Sequence, residues 1–271
     1  MLNWTLYKRE VKNSVKMLVI FGAVITMYVA IIISMYDPEM MVSLDKFYEL
    51  MPELMASVGM SAGATTLIGF MISYLYGFIL LLFPMLFCIL RGNGLVAKYT
   101  DKGSMATLLA APVKRKTVAL TQMSVLISGI LILMIYATGL EIIIAETSFP
   151  GELVISELLK LNAALMCLHL FIGSICFLAS CVFSDTKYSI AFGAGIPVLM
   201  YVLQMLANTG EKAEAAKYFT FFTLFNARWQ LSLGVVAMRL SVRCAWNWSR
   251  CSLCRGNYCI LQKGLTYLEN N

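Results

Sequence analysis

The sequence predicts an all-α membrane protein: a polytopic helical bundle of five transmembrane helices plus a degraded or missing sixth, with its N-terminus in the cytoplasm. Three observations carry this. First, the 271-residue chain is 60% hydrophobic and only 13% charged, where a soluble domain carries roughly 25% charged residues. Second, five uncharged runs are each long enough to cross a bilayer. Third, lysine and arginine gather in alternate connections between those runs. The mean hydropathy of +0.78 agrees.

Residues 1–16 are set apart as a cytoplasmic amphipathic segment. Trp4, Tyr7, Val11 and Val15 recur at helical spacing, with Lys8, Lys12 and Lys16 off that stripe. Two readings fit: a helix lying on the inner membrane surface, or a plain basic flank to the first span. A cleaved signal peptide is not expected. The apolar stretch is longer than a usual signal core, and no small-x-small site follows it.

The transmembrane domain is placed at 17–227. A spanning helix needs about 20 apolar residues, and five runs meet that requirement: 17–36, 67–90, 117–140, 161–183 and 188–207. In lipid each run must satisfy its own backbone hydrogen bonds, which selects helix. Pro84 and Pro197 are tolerable there because neighbouring helices can cover the freed carbonyls. Between the first two runs, Met40, Met41, Leu44, Phe47, Tyr48, Met51 and Met55 form a stripe opposite Glu39, Asp45, Glu49 and Glu53. That spacing predicts an amphipathic helix on the outer leaflet.

Orientation follows from the loops. Eleven basic residues lie on one side: Lys8, Arg9, Lys12, Lys16, Arg91, Lys98, Lys102, Lys114, Arg115, Lys116 and Lys187. Four, Lys46, Lys160, Lys212 and Lys217, lie on the other through residue 227. The positive-inside rule puts the richer side, and with it the N-terminus, in the cytoplasm. The net charge of +6 therefore reflects membrane topology, and no nucleic-acid partner is expected.

No catalytic set and no metal site is read from the chain. A single histidine, His169, rules out an H-E-x-x-H zinc helix, and no Gly-x-Ser-x-Gly elbow occurs. Gly92 to Lys98 superficially resembles a phosphate loop. However, Ala97 stands where the glycine belongs, Tyr99 replaces the Ser or Thr, and a membrane span precedes it. His169 is mid-span, where ionisable residues are functional candidates; a neutral imidazole bonded to a neighbouring helix is the alternative. Glu141 is expected near the outer end of the third span, close to water, as a candidate for a translocation path. Gln122, Asn162 and Gln204 read as interhelical glue. Gly173, Cys176, Ala179 and Ser180, and the pair Ala191 and Gly195, read as packing faces. Of the eight cysteines, Cys88, Cys167, Cys176 and Cys181 lie within apolar runs and behave as small hydrophobes.

The most informative stretch joins the second and third spans. It reads Asp101-Lys102-Gly103-Ser104-Met105-Ala106-Thr107-Leu108-Leu109-Ala110-Ala111-Pro112-Val113-Lys114-Arg115. Gly103 admits a sharp turn, Ser104 suits a helix N-cap and Pro112 would stop the helix. Its spacing of Gly103, Leu108, Leu109, Pro112, Val113 and Arg115 resembles the cytoplasmic loop of ABC-2-type transporter permeases. Tyr99-Thr100 depart from that pattern, standing where two acids are usual, as does Gln122, where lysine is common.

The resemblance covers roughly residues 1 to 227 and implies a permease subunit of a bacterial exporter in the plasma membrane. Loop 98–116 would couple to a separate cytoplasmic ATPase, with Asp101, Gly103, Leu108, Leu109, Pro112, Val113 and Arg115 as the coupling residues. It also implies pairing with a second permease copy or paralogue, contact with membrane lipids, and no cofactor in this chain, ATP and magnesium being held by the ATPase. Residues 208–227, with Phe221 and Phe222, would form an outer gate; an interfacial aromatic belt is the plain alternative. A non-transporting membrane anchor or immunity-type scaffold is the rival function, and an intramembrane enzyme a further one.

The segment 228–271 departs from the family. Arg228, Arg239, Arg243, Arg250, Arg255 and Lys263 interrupt it, and Trp229, Trp246, Trp248 and four cysteines crowd in. No uncharged run there is long enough to span. A reading-frame shift near codon 228 would account for the change of composition; a native tail is the alternative. A zinc site from Cys244, Cys251, Cys254 and Cys259 is the rival, although paired ligand knuckles are absent.

Overall fold

A computed structural model describes residues 2–37, 50, 51, 56, 66–101, 115–183, 185–209 and 220–224. Among these the chain is mostly helical, with no strand. Helix α1 spans Trp4–Ser34 and α2 spans Leu67–Met71. A π-helical segment, Ile72–Ile79, runs directly into α3, Leu80–Gly94. A two-residue turn then leads to α4, Ala97–Asp101. Helices α5 (Arg115–Ser148), α6 (Ile155–Val182) and α7 (Thr186–Thr209) follow, and a 3₁₀ turn covers Phe221–Leu224. Five of these helical stretches are long and apolar enough to cross a membrane: Trp4–Ser34, Leu67–Tyr99, Thr117–Ser148, Ile155–Val182 and Thr186–Asn208.

Paired contacts fix the directions. Along α1 and α5 and the residues flanking them, Asn3 meets Thr121, Thr26 meets Tyr136 and Tyr36 meets Phe149, so the two run parallel. On α3 and α6, Cys88 meets His169, Val96 meets Ser180 and Asn93 meets Ser180, again parallel. Contacts of α1 with α3 (Glu10–Arg91, Phe21–Phe87, Tyr28–Phe83) run antiparallel. So do those of α6 with α7 (Cys176–Gly193, Phe183–Phe192). The spans therefore alternate in direction along the chain. One end of the bundle gathers Asn3, Glu10, Arg91, Thr121, Ser180 and Ser189.

The core is built by branched aliphatic and aromatic side chains where helices cross. Ile25, Val29 and Ile33 of α1 are fully buried at helical spacing, as are Leu75, Leu80 and Phe87 of the second span. Glycines admit close approach: a Cβ on Gly92 would lie 2.7 Å from Cys176 Cβ, and one on Gly173 2.9 Å from Ile130 Cδ1. Small residues at such crossings replace the hydrophobic drive that lipid removes. By contrast Gly195 faces open space and Ala191 is exposed, so that expected packing pair meets no neighbouring helix among the described residues.

Several expectations are corrected. No break separates residues 4–16 from the first span, because α1 runs continuously from Trp4 to Ser34. Its inward face is Leu6, Glu10 and Ser14, while Trp4 and Val15 of the anticipated stripe are exposed. Tyr7 stacks on Trp4, and Lys8 Nζ lies over the Trp4 ring. The second span is not a uniform α-helix, since eight of its residues form the π segment. The outer amphipathic stripe (apart from Met51), loop residues 102–114 and the segment 228–271 lie outside the described residues.

Candidate functional site

Two clusters of hydrogen-bonded buried polar side chains stand out among the described residues. The first centres on Glu141. This residue was expected near water at a helix end, but α5 continues to Ser148 and the carboxyl is fully buried. The end of a run of apolar letters is not the end of a helix, and Ile142, Ile143, Ile144 and Ala145 extend it. Glu141 Oε2 accepts from Tyr76 Oη at 2.9 Å and from Asn162 Nδ2 at 2.7 Å. Glu141 Oε1 and Asn162 Oδ1 are buried without a partner.

Tyr76 reaches Glu141 from the middle of the π segment. A π turn closes i→i+5 hydrogen bonds and takes in an extra residue, and such turns recur at functional sites. Leu80 N–H accordingly donates to the Leu75 carbonyl. Four residues beyond Leu80, Pro84 has no N–H to offer the helix. His169 meets this stretch from α6. Its Nε2 lies 3.3 Å from the Leu81 carbonyl and its Nδ1 lies 2.8 Å from the Leu165 carbonyl of its own helix. The imidazole thus bridges α6 to the turn before Pro84.

The second cluster sits at the end of the bundle where the second span leads into residues 102–114. Arg91 Nη2 donates to Glu10 Oε2 at 2.6 Å and to the Glu10 carbonyl at 2.8 Å. Tyr99 Oη donates to Glu10 Oε1. Arg91 was counted with the loop cations; it is instead buried. Beside it, Ser180 Oγ accepts from the N–H of Val96 at 3.2 Å and of Ala97 at 2.9 Å, and donates to the Asn93 carbonyl at 3.0 Å. Ser189 Oγ donates to Asn93 Oδ1 at 2.9 Å, and Asn93 Nδ2 donates to the Ile89 carbonyl at 2.8 Å. Ser180 was grouped with packing residues, yet here it takes up backbone donors exposed by the break between α3 and α4.

The sequence candidates do not converge on one site. Asn162 and His169 are seven residues apart on α6, about 10 Å along the axis, so Glu141 and His169 lie at different depths. Phe221 packs against Phe171 at 5.1 Å between ring centroids, and Phe222 against Tyr201 at 5.5 Å. Phe171 lies two residues beyond His169, and residues so spaced do not share a helix face. Thr220 Oγ1 anchors this aromatic turn by donating to the Met200 carbonyl at 3.1 Å. Asn162 links helices as expected. Gln204 instead bonds Asn208 on its own helix, and both Gln122 side-chain polar atoms are buried without a partner. Of the coupling residues, Gly103, Leu108, Leu109, Pro112 and Val113 lie outside the described residues; Asp101 ends α4 and Arg115 begins α5.

Sequence reasoning missed Glu10, Tyr76, Asn93, Tyr99 and Ser189. A signal existed for Glu10, which is a lone acid among Lys8, Arg9, Lys12 and Lys16 and spaced by four from Leu6 and Ser14. No protein-family model matches the chain, and no curated protein matches it.

Proposed function

We propose that this chain is the membrane-spanning permease subunit of an ATP-driven exporter of the ABC-2 type, coupled to a separate ATPase through loop 98–116. The observation supporting this most is the buried polar cluster at the loop's root. Arg91, Asn93 and Tyr99 tie the descending second span to α1, α6 and α7 through Glu10, Ser180 and Ser189. A connection that only sets topology needs no buried ion pair at its base, since desolvating two charges is costly. A connection that passes motion from a docked partner into the helices needs a stiff base of this kind. In this reading the N-terminus is cytoplasmic, the membrane is the bacterial plasma membrane, and a second permease copy completes the transporter.

The test is co-purification of the full chain with its ATPase from native membranes. The wild type retains the ATPase, while Leu108→Asp and Leu109→Asp lose it without loss of the folded permease. Equal retention by these variants, or no ATPase with the wild type, overturns the proposal.

A further inference from the structure

The Glu141 cluster contains more oxygen acceptors than donors. Tyr76 Oη and Asn162 Nδ2 both serve Glu141 Oε2, leaving Glu141 Oε1 and Asn162 Oδ1 unserved. Both oxygens belong to planar groups already joined by the Asn162 Nδ2 bond. Both are buried, Glu141 completely and Asn162 to within 4%. Among the described residues no cation is bonded to the carboxyl. The charged groups nearest it along the packed elements are Glu146 on α5, Glu157 and Lys160 on α6 and Asp37 just past α1, and none bonds to it; Lys8, Arg9, Glu10, Lys12 and Lys16 of α1, Arg91 of α3, and Arg115 and Lys116 of α5 belong to the opposite end of the bundle. The other titratable groups on these elements are Tyr74 and Tyr76 of the π segment, Cys88 of α3, Tyr136 of α5, Cys167, His169, Cys176 and Cys181 of α6, and Tyr7, Tyr28 and Tyr36 on or beside α1. Of these only Tyr76 donates to the carboxyl. An unpaired charge at such a place in a bilayer is expensive, and a buried oxygen without a donor costs further.

We propose that Glu141 is a proton-binding site in which the bound proton sits on Oε1 and is donated to Asn162 Oδ1. The carboxyl and the amide then pair at two points, Asn162 Nδ2 to Glu141 Oε2 and Glu141 Oε1 to Asn162 Oδ1. One hydrogen ion satisfies both orphaned oxygens and cancels the charge, and no other atom need move between residues. The loaded form ties α5 to α6. Losing the proton restores the charge, leaves both oxygens again without a donor and reduces the link to the Asn162 Nδ2 bond alone, so release is linked to loosening of the third and fourth spans. The second span takes part through Tyr76, whose π segment is the irregular stretch of that helix. This inference requires only that the bundle be membrane-embedded and holds whether or not the chain exports anything.

Infrared difference spectroscopy of the full chain in lipid bilayers tests it. Near neutral pH the wild type shows a protonated-carboxyl carbonyl band that shifts in heavy water. Glu141→Gln removes the band yet stays folded, because its amide can make the same two-point pair and still accept from Tyr76. Asn162→Leu moves the band by deleting the acceptor. A wild-type spectrum no different from Glu141→Gln in this region overturns the proposal. So does a band that sodium chloride, but not choline chloride, abolishes at constant pH, which would assign the site to a metal cation instead. The same preparations give a second readout: raising the pH lowers the unfolding temperature of the wild type and leaves Glu141→Gln unchanged by comparison. Equal pH dependence also overturns it.

Discussion

Arg91 on the second span and Glu10 on the first form a buried ion pair 2.6 Å long, and one guanidinium nitrogen also holds the Glu10 backbone carbonyl. Removing either partner strands the other charge away from water. Arg91→Leu or Glu10→Leu should each destabilise the chain by about 3–5 kcal/mol. The double variant should cost clearly less than the sum, because no charge is left unpaired. Thermal unfolding in detergent for all four proteins closes the cycle; strictly additive losses would show that the two residues do not depend on each other.

Ser180 is the acceptor shared by two amides at the break in the second span. Ser180→Ala should cost about 1–3 kcal/mol, the usual penalty for depriving buried donors. Its effect should be local. Hydrogen exchange at Val96 and Ala97 is expected to accelerate, with little change at Ile130 or Leu133. Uniform acceleration along the chain would contradict a local role.

Two glycines of α5 should respond oppositely to alanine. A Cβ on Gly129 would lie 2.8 Å from Phe87 Cζ, and Phe87 is fully buried. Gly129→Ala should therefore destabilise by about 1–3 kcal/mol through overpacking. Gly139 has nothing within 4 Å of the same position. Gly139→Ala should stabilise by about 0.5–1 kcal/mol by reducing the freedom of the unfolded chain. The difference in unfolding temperature between the two variants is the measurement.

Orientation is checked by labelling single introduced cysteines with a membrane-impermeant reagent in intact cells. With a cytoplasmic N-terminus, position 49 reacts and position 114 does not until the cells are opened. The reverse pattern would invert the bundle and remove the basis for a cytoplasmic coupling loop.

The helical character and the number of candidate spans were legible because both depend on local composition. An uncharged run of about 20 residues has few stable options in lipid other than helix, and that holds without knowing any neighbour. The run boundaries were less legible. The uncharged run stops at Leu140 while the helix continues to Ser148, because a buried partner lets a polar residue such as Glu141 stay inside. The same blindness hid Arg91: adjacent to a loop, it reads as a topology signal until Glu10, more than eighty residues earlier, is seen beside it.

By itself, then, the order of residues determined that this chain is a set of apolar helices with alternating basic connections. Hydropathy and backbone hydrogen bonding act within each segment and need no tertiary information. Only the tertiary structure decided which polar residues face one another: Glu141 with Tyr76 and Asn162, Glu10 with Arg91 and Tyr99, Ser180 with the broken stem of the second span. A polar side chain inside a membrane is tolerated according to the partner it finds, and that partner is supplied by a helix distant in sequence.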